Sequence, residues 1–202
     1  MNECQCTCAQ CAKCERKEST MNTPKIMPRS RWTPTTSSAV PAKADQLRGV
    51  AVHYPGAPGT IGRESEAQTA ARLEGYRRHH VNGNGMRDIA YNVAVDQSGR
   101  LWVLRGISRQ SGANGTRTAN EQYGAILALV GNDEDPTPEL IAGIQYAVRL
   151  YDVRYPGKIK RVAPHSAFVK TSCPGVKLRA LLNDGRTLYV SGARRRWPDV
   201  RP

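Results

Sequence analysis

Two short apolar runs, GVAVHY at 49–54 and AILALVG at 125–131, constrain the fold more than any other feature of this chain. Each is rich in β-branched and small apolar residues and too short for an ordinary helix, the pattern of a buried strand. Pro55-Gly56 ends the first. Between and after them come stretches with helical periodicity. Ser65 and Gln68 form a capping box that opens a helix through about His80, with Ala67, Ala70, Ala71, Leu73 and Tyr76 toward the core. Thr137 as N-cap and Pro138 behind it open a second helix through about Tyr151, with Leu140, Ile141, Ile144, Ala147 and Val148 inward. Asn82-Gly83-Asn84-Gly85 is a turn, after which Ile89, Tyr91, Val93 and Val95 alternate as one face of a strand. Gln97-Ser98-Gly99-Arg100 turns the chain and LWVLRG returns it, a β-hairpin pattern. Residues 160–164 read as a short strand that delivers His165 to a loop, and VKLRALLN is a final short helix. Strands interleaved with helices predict an α/β fold: a single domain with a mixed central β-sheet flanked by helices.

A chain of 202 residues with 39% hydrophobic content suits one domain with flexible N- and C-terminal tails. Residues 1–46 read as a flexible leader, cysteine-rich and then rich in Pro, Ser and Thr, followed by a domain over 47–185 and a basic tail over 186–202. The start MNECQCTCAQ lacks the order of a signal peptide, and no run of eighteen apolar residues exists to span a membrane. Five cysteines, Cys4, Cys6, Cys8, Cys11 and Cys14, crowd the leader. An odd cluster cannot pair off, so it reads as a weakly metal-binding segment without a catalytic role. The net charge of +13 favours a polyanionic partner, either nucleic acid or the anionic polymers of a bacterial wall. With a single Phe and no aromatic-basic interleaving, nothing in the chain reads as a nucleic-acid motif.

The sixth cysteine, Cys173, stands far from the others, eight positions after His165, while His53 lies at the end of the first apolar run. Two imidazoles and a thiolate are good ligands for Zn²⁺, and three protein ligands leave one tetrahedral position open for hydrolytic chemistry. By spacing alone the same residues also read as a satisfied core histidine and a small apolar cysteine. His79 and His80 compete as ligands, or cap the end of their helix, where imidazolium suits the dipole. The long Gly/Ser/Asn-rich stretch 106–122 has the length of a functional loop.

Four blocks in this order, VHYPG, DIAYNVAVDQSGRLWVLRG, NEQYGAILALVGN and HSAFVKTSCPG, resemble the zinc-dependent N-acetylmuramoyl-L-alanine amidases. That superfamily includes the phage lysozyme-type amidases and the peptidoglycan recognition proteins. The likeness covers roughly residues 47–183 and implies a mixed sheet flanked by helices. Carried over residue by residue, it implies His53, His165 and Cys173 as the ligands of Zn²⁺, and Tyr91 as the site tyrosine. Thr171 stands two positions before the cysteine, where some members carry lysine; Lys170 is beside it. Where relatives often carry a histidine ahead of an Asn-x-x-x-Gly block, this chain has Gly112 near that position, a departure that implies an altered groove wall. Asn120 keeps the loop asparagine, with a structural role expected from its aptitude for turns.

The resemblance implies metal-assisted hydrolysis of the amide between muramic acid and L-alanine in peptidoglycan, with Tyr91 and Thr171 stabilising the oxyanion. The expected role is that of a phage or prophage endolysin, held in the host cytoplasm until the membrane is breached and then acting at the wall. Its basic tail SGARRRWPDVRP would meet anionic wall polymers. A cytosolic muropeptide-recycling amidase and a non-catalytic peptidoglycan-binding protein are the alternatives. Retention of Cys173 speaks against the second.

Overall fold

The computed structural model describes residues 23–183. Its elements in chain order are β1 (Ile26–Met27), β2 (Gly49–His53), α1 (Glu66–Arg78), β3 (Val93–Val95), β4 (Leu101–Val103), α2 (Arg117–Gln122), β5 (Tyr123–Ala128), α3 (Pro138–Arg154), β6 (Arg161–Pro164) and α4 (Val176–Asn183). The strands form one six-stranded sheet in the order β1-β4-β3-β5-β2-β6. Only the β3–β4 hairpin is antiparallel; the other pairs are parallel, so the sheet is mixed, as expected. The crossovers that parallel neighbours require put helices on the sheet faces.

One face is packed by α3. Val50, Val52, Val93, Val95, Ile126 and Ala128 meet Leu140, Ile144, Ala147, Val148 and Tyr151 there. The helix begins where the sequence places it, with the Thr137 hydroxyl accepting from Leu140 N and Pro138 in the first turn. Gly124 lets α3 come close: a Cβ at that position would lie 2.3 Å from the Tyr151 ring. The opposite face carries Ala94, Trp102, Leu127 and Leu129 against Leu73 of α1, with Met27, Trp32, Ile61 and Ile89. The Ser65–Gln68 capping box of α1 forms in both directions. Thr69 and Leu73, rather than Ala67 and Ala71, are its buried residues. Beyond Arg78 the chain continues through a π-helical turn, His79–Gly83, so the helix does not stop at His80.

Residues 23–46 differ from the flexible leader the composition implied. β1 pairs with β4, and Met27, Trp32 and Ala39 are buried. Trp32 Nε1 donates to Val103 O at 2.8 Å, and Arg29 donates to Leu104 O at 2.6 Å and to Asp88 Oδ1 at 3.0 Å. The Pro/Ser/Thr tract satisfies its backbone against the loop after β4, with Ala42 N donating to Ser108 O and Gln110 N to Val40 O. A few apolar anchors and borrowed hydrogen bonds suffice where mean composition predicts none. The expected cysteine cluster and basic tail lie outside the described residues.

The hairpin also departs from simple alternation. Val93 and Val95 face α3, whereas Ile89 and Tyr91 belong with the α1 side. Asn92 breaks the phase. Its backbone N donates to Ala125 O, and its side-chain Oδ1 accepts from Ala125 N in place of a backbone carbonyl. Its amide donates to Gly106 O and Arg109 O. A side chain thus stands in for the ladder, and Tyr91 turns to the face that carries His53. Within the expected loop 106–122 the chain forms α2, opened by the Thr116 hydroxyl accepting from Ala119 N. Among the described residues no helix is long and apolar enough to cross a membrane.

Candidate metal centre

Parallel strands β2 and β6 are neighbours, with Val52 opposite Pro164. The next residue on each strand is a histidine: His53 closes β2, and His165 opens the short 3₁₀ turn after β6. Register therefore brings two imidazoles together at the carboxyl ends of the strands, where open α/β sheets place their ligands. Their ring centroids are 4.4 Å apart. The loop before α4 returns Cys173 to the same point, its Sγ 3.8 Å from His53 Nδ1. One ligand atom from each of His53, His165 and Cys173 lies within 4.8 Å of the other two.

This trio suits a metal ion by two observations. A tetrahedral zinc with one nitrogen and one sulfur ligand holds them about 3.5 Å apart, close to the His53–Cys173 spacing. His165 Nε2 is buried without a hydrogen-bond partner, which is costly for a polar atom unless it has a ligand to hold. Electrostatics point the same way. Burial first, then the neighbouring His165, pushes the His53 imidazole down to about 3, against a smaller upward pull from Asn114. Burial also lowers His165. Both rings are therefore held toward the neutral form that binds metals. Burial pushes the Cys173 thiol up to about 11, opposed by the Tyr54 backbone N–H and by Arg179. A cation that takes this thiolate has to displace its proton. Tyr54 N donates to the sulfur at 3.5 Å.

His79 and His80, the competing ligands, do not join the cluster. His80 Nδ1 accepts from Ala90 N at 3.4 Å, and its ring stands edge-on to Tyr91 at 5.8 Å. Burial, then His79 and Arg105, lowers His80 to about 4. Tyr91 in turn lies edge-on to His53, with centroids 5.3 Å apart. Burial first, then Cys173 and Tyr76, raises its phenol well above the ordinary value, so it stays a hydrogen-bond donor at any working pH. The Thr171 hydroxyl accepts from Cys173 N at 3.2 Å and braces the ligand's loop. Lys170 beside it is exposed. Arg179 of α4 donates to Ser172 O at 2.7 Å and ties the same loop down.

The loop before α2 supplies a residue that sequence reasoning missed. Asn114, fully buried, presents Oδ1 to His53 Nε2 at 2.9 Å. Gly112, expected to mark an altered wall, packs on Arg105: a Cβ there would meet the guanidinium at 2.7 Å. Asn120 has the structural role expected of it, its Oδ1 accepting from Asn114 N at 2.8 Å and from the Ser111 hydroxyl at 3.0 Å.

No family model matches this sequence. No curated protein matches it either. Solved structures do. Bumblebee PGRP-SA is 21% identical, with a TM-score of 0.69 over 82% of this chain and 97% of its own. Drosophila PGRP-LB is 18% identical, with a TM-score of 0.70 over 84% of this chain and 99% of its own. Peptidoglycan recognition protein LE, solved with tracheal cytotoxin, is 22% identical, with a TM-score of 0.68 over 81% and 95%. Coverage runs almost the whole length of those chains. The protein therefore has the fold of the peptidoglycan recognition proteins.

Proposed function

We propose that the chain is a zinc-dependent N-acetylmuramoyl-L-alanine amidase that cuts bacterial peptidoglycan. The observation that supports it most is the convergence of His53, His165 and Cys173 at the carboxyl ends of β2 and β6, in a fold that one solved neighbour uses to hold a monomeric diaminopimelic acid-type peptidoglycan. Two neutral imidazoles and a thiolate form a ligand set for Zn²⁺, with one coordination position left for water or substrate. When bound, the ion supplies Lewis acidity, bringing water to a pKa of about 7 and polarising the scissile carbonyl.

The chain's own residues do the rest. His53 and His165, both held toward the neutral form by burial, would hold the ion. Cys173 would bind it as a thiolate and so would be committed as a ligand rather than as a nucleophile. Tyr91, kept as a phenol and set edge-on to His53, donates to the oxygen that becomes negative as the amide is attacked. Thr171 braces the Cys173 backbone through its lone pair, and its hydroxyl hydrogen remains available as a second donor to that oxygen. The net charge of +13 suits a surface rich in anionic wall polymers, and we assign the activity to wall lysis of the phage endolysin kind.

The test is to incubate the purified protein with intact sacculi and, separately, with soluble muropeptides, with and without chelator and with zinc restored. The expected result is new N-terminal L-alanine without new reducing sugars, lost with chelator and regained with zinc, and release from sacculi at least as fast as from muropeptides. Activity confined to muropeptides would replace wall lysis by recycling. Retention on sacculi with no new amino termini would replace catalysis by binding.

A further inference from the structure

Asn114 is buried, and its environment fixes which way its amide points. The Nδ2 atom lies 2.8 Å from Tyr123 O, 3.0 Å from Ala119 O and 2.9 Å from Ser111 Oγ. Two of those partners are carbonyl oxygens, which only accept, so the NH₂ group belongs on that side. The Oδ1 atom is then the one facing His53 Nε2 at 2.9 Å. A carboxamide oxygen only accepts, so Nε2 carries the ring hydrogen. A neutral imidazole has one N–H, which leaves His53 Nδ1 with a bare lone pair on the side of Cys173 Sγ, 3.8 Å away. The opposite tautomer would set two lone pairs against each other in a buried site.

We propose that Asn114 is a positioning residue that locks His53 as the Nε2–H tautomer and thereby makes Nδ1 its metal-binding atom. The loop is built to keep it in place. Asn120 Oδ1 holds the Asn114 backbone N–H. Gly112 N donates to Ala90 O at 2.8 Å. Gly115, at φ +80°, sits so close to Val169 that a Cβ would come within 2.6 Å of it, keying the Asn114 loop to the segment between His165 and Cys173. Partners of this kind orient a ligand ring and raise metal affinity without touching substrate.

The inference rests on the metal reading of the site, and two readouts on the 202-residue chain, with its five leader cysteines replaced by serine, keep them apart. The first is the ¹⁵N signature of the His53 ring in metal-free protein. The expected result is a protonated Nε2 and a bare Nδ1; a protonated Nδ1 in the wild type overturns the proposal, whatever any variant does. The second is zinc affinity measured by chelator competition. Asn114→Leu removes both halves of the amide and is expected to mix the His53 tautomers and weaken zinc binding by roughly 10–100-fold. Unchanged affinity in a folded Asn114→Leu protein overturns the proposal. A wild type with the Nε2–H signature that takes up no zinc overturns the metal reading and leaves the tautomer assignment standing.

Discussion

The two faces of the sheet are built to different rules. On the α3 face, the buried cluster is apolar apart from the hydroxyls of Tyr151 and Tyr155, and its residues follow the strand and helix periods. On the α1 face, an apolar cluster is joined at the carboxyl end of β2 by buried polar groups, His53 and Asn114, with Tyr91 edge-on to His53. One face stores stability in surface removed from water, about 1.5–3 kcal/mol for each fully buried aliphatic side chain. The other spends some of it on polar groups whose partners are few and specific. Stability and chemistry are thus separated by the thickness of one sheet, and substitutions should separate them too.

The largest expected effect on folding comes from the α3 face. Ile144→Ala leaves a cavity beneath β3 and β5 and should cost about 2–5 kcal/mol of unfolding free energy. The same variant should still bind zinc under native conditions, which denaturant melts and metal titration on one sample would check. On the other face, Tyr91→Phe should lower kcat by about 10²–10³-fold, the loss typical of one oxyanion donor, with KM and melting temperature nearly unchanged. A fall in melting temperature as large as that of Ile144→Ala would mean that Tyr91 is core rather than site.

A smaller and graded effect follows from pH. In the metal-free protein His53 is held at about 3 against an ordinary 6.5. Between those values the unfolded chain binds a proton that the folded chain refuses. Unfolding free energy should therefore fall as pH drops from about 6.5 toward 3. His53→Gln should reduce that slope to the part contributed by His80 and His165, while Ile144→Ala should lower the whole curve without changing its shape. Melting temperatures across the pH series distinguish the two.

Much of this was legible in the residues. The capping box at Ser65 and Gln68, the Thr137-Pro138 start of α3 and the apolar runs of β2 and β5 are local signals, and each forms as its chemistry dictates. The likeness of four ordered blocks to a known family points to His53, His165 and Cys173; register explains why the two histidines meet, and the loop before α4 returns the cysteine to them. Three features were not legible. Asn92 shifts the phase of its strand because a side chain replaces a backbone acceptor, which a period of two cannot reveal. Residues 23–46 pack although their composition is that of a tail, because Trp32 and Arg29 find carbonyls some seventy positions away. Asn114 looks like any loop asparagine until His53 is placed beside it.

The most direct test of the central claim is metal uptake by the 202-residue chain with Cys4, Cys6, Cys8, Cys11 and Cys14 replaced by serine, with cobalt as a spectroscopic stand-in for zinc. The account predicts one ion per chain, release of a proton from the Cys173 thiol, and a sulfur-to-cobalt charge-transfer band. Cys173→Ser should abolish the band, and His53→Ala and His165→Ala should each abolish tight binding. Stoichiometric binding that survives all three substitutions would contradict it.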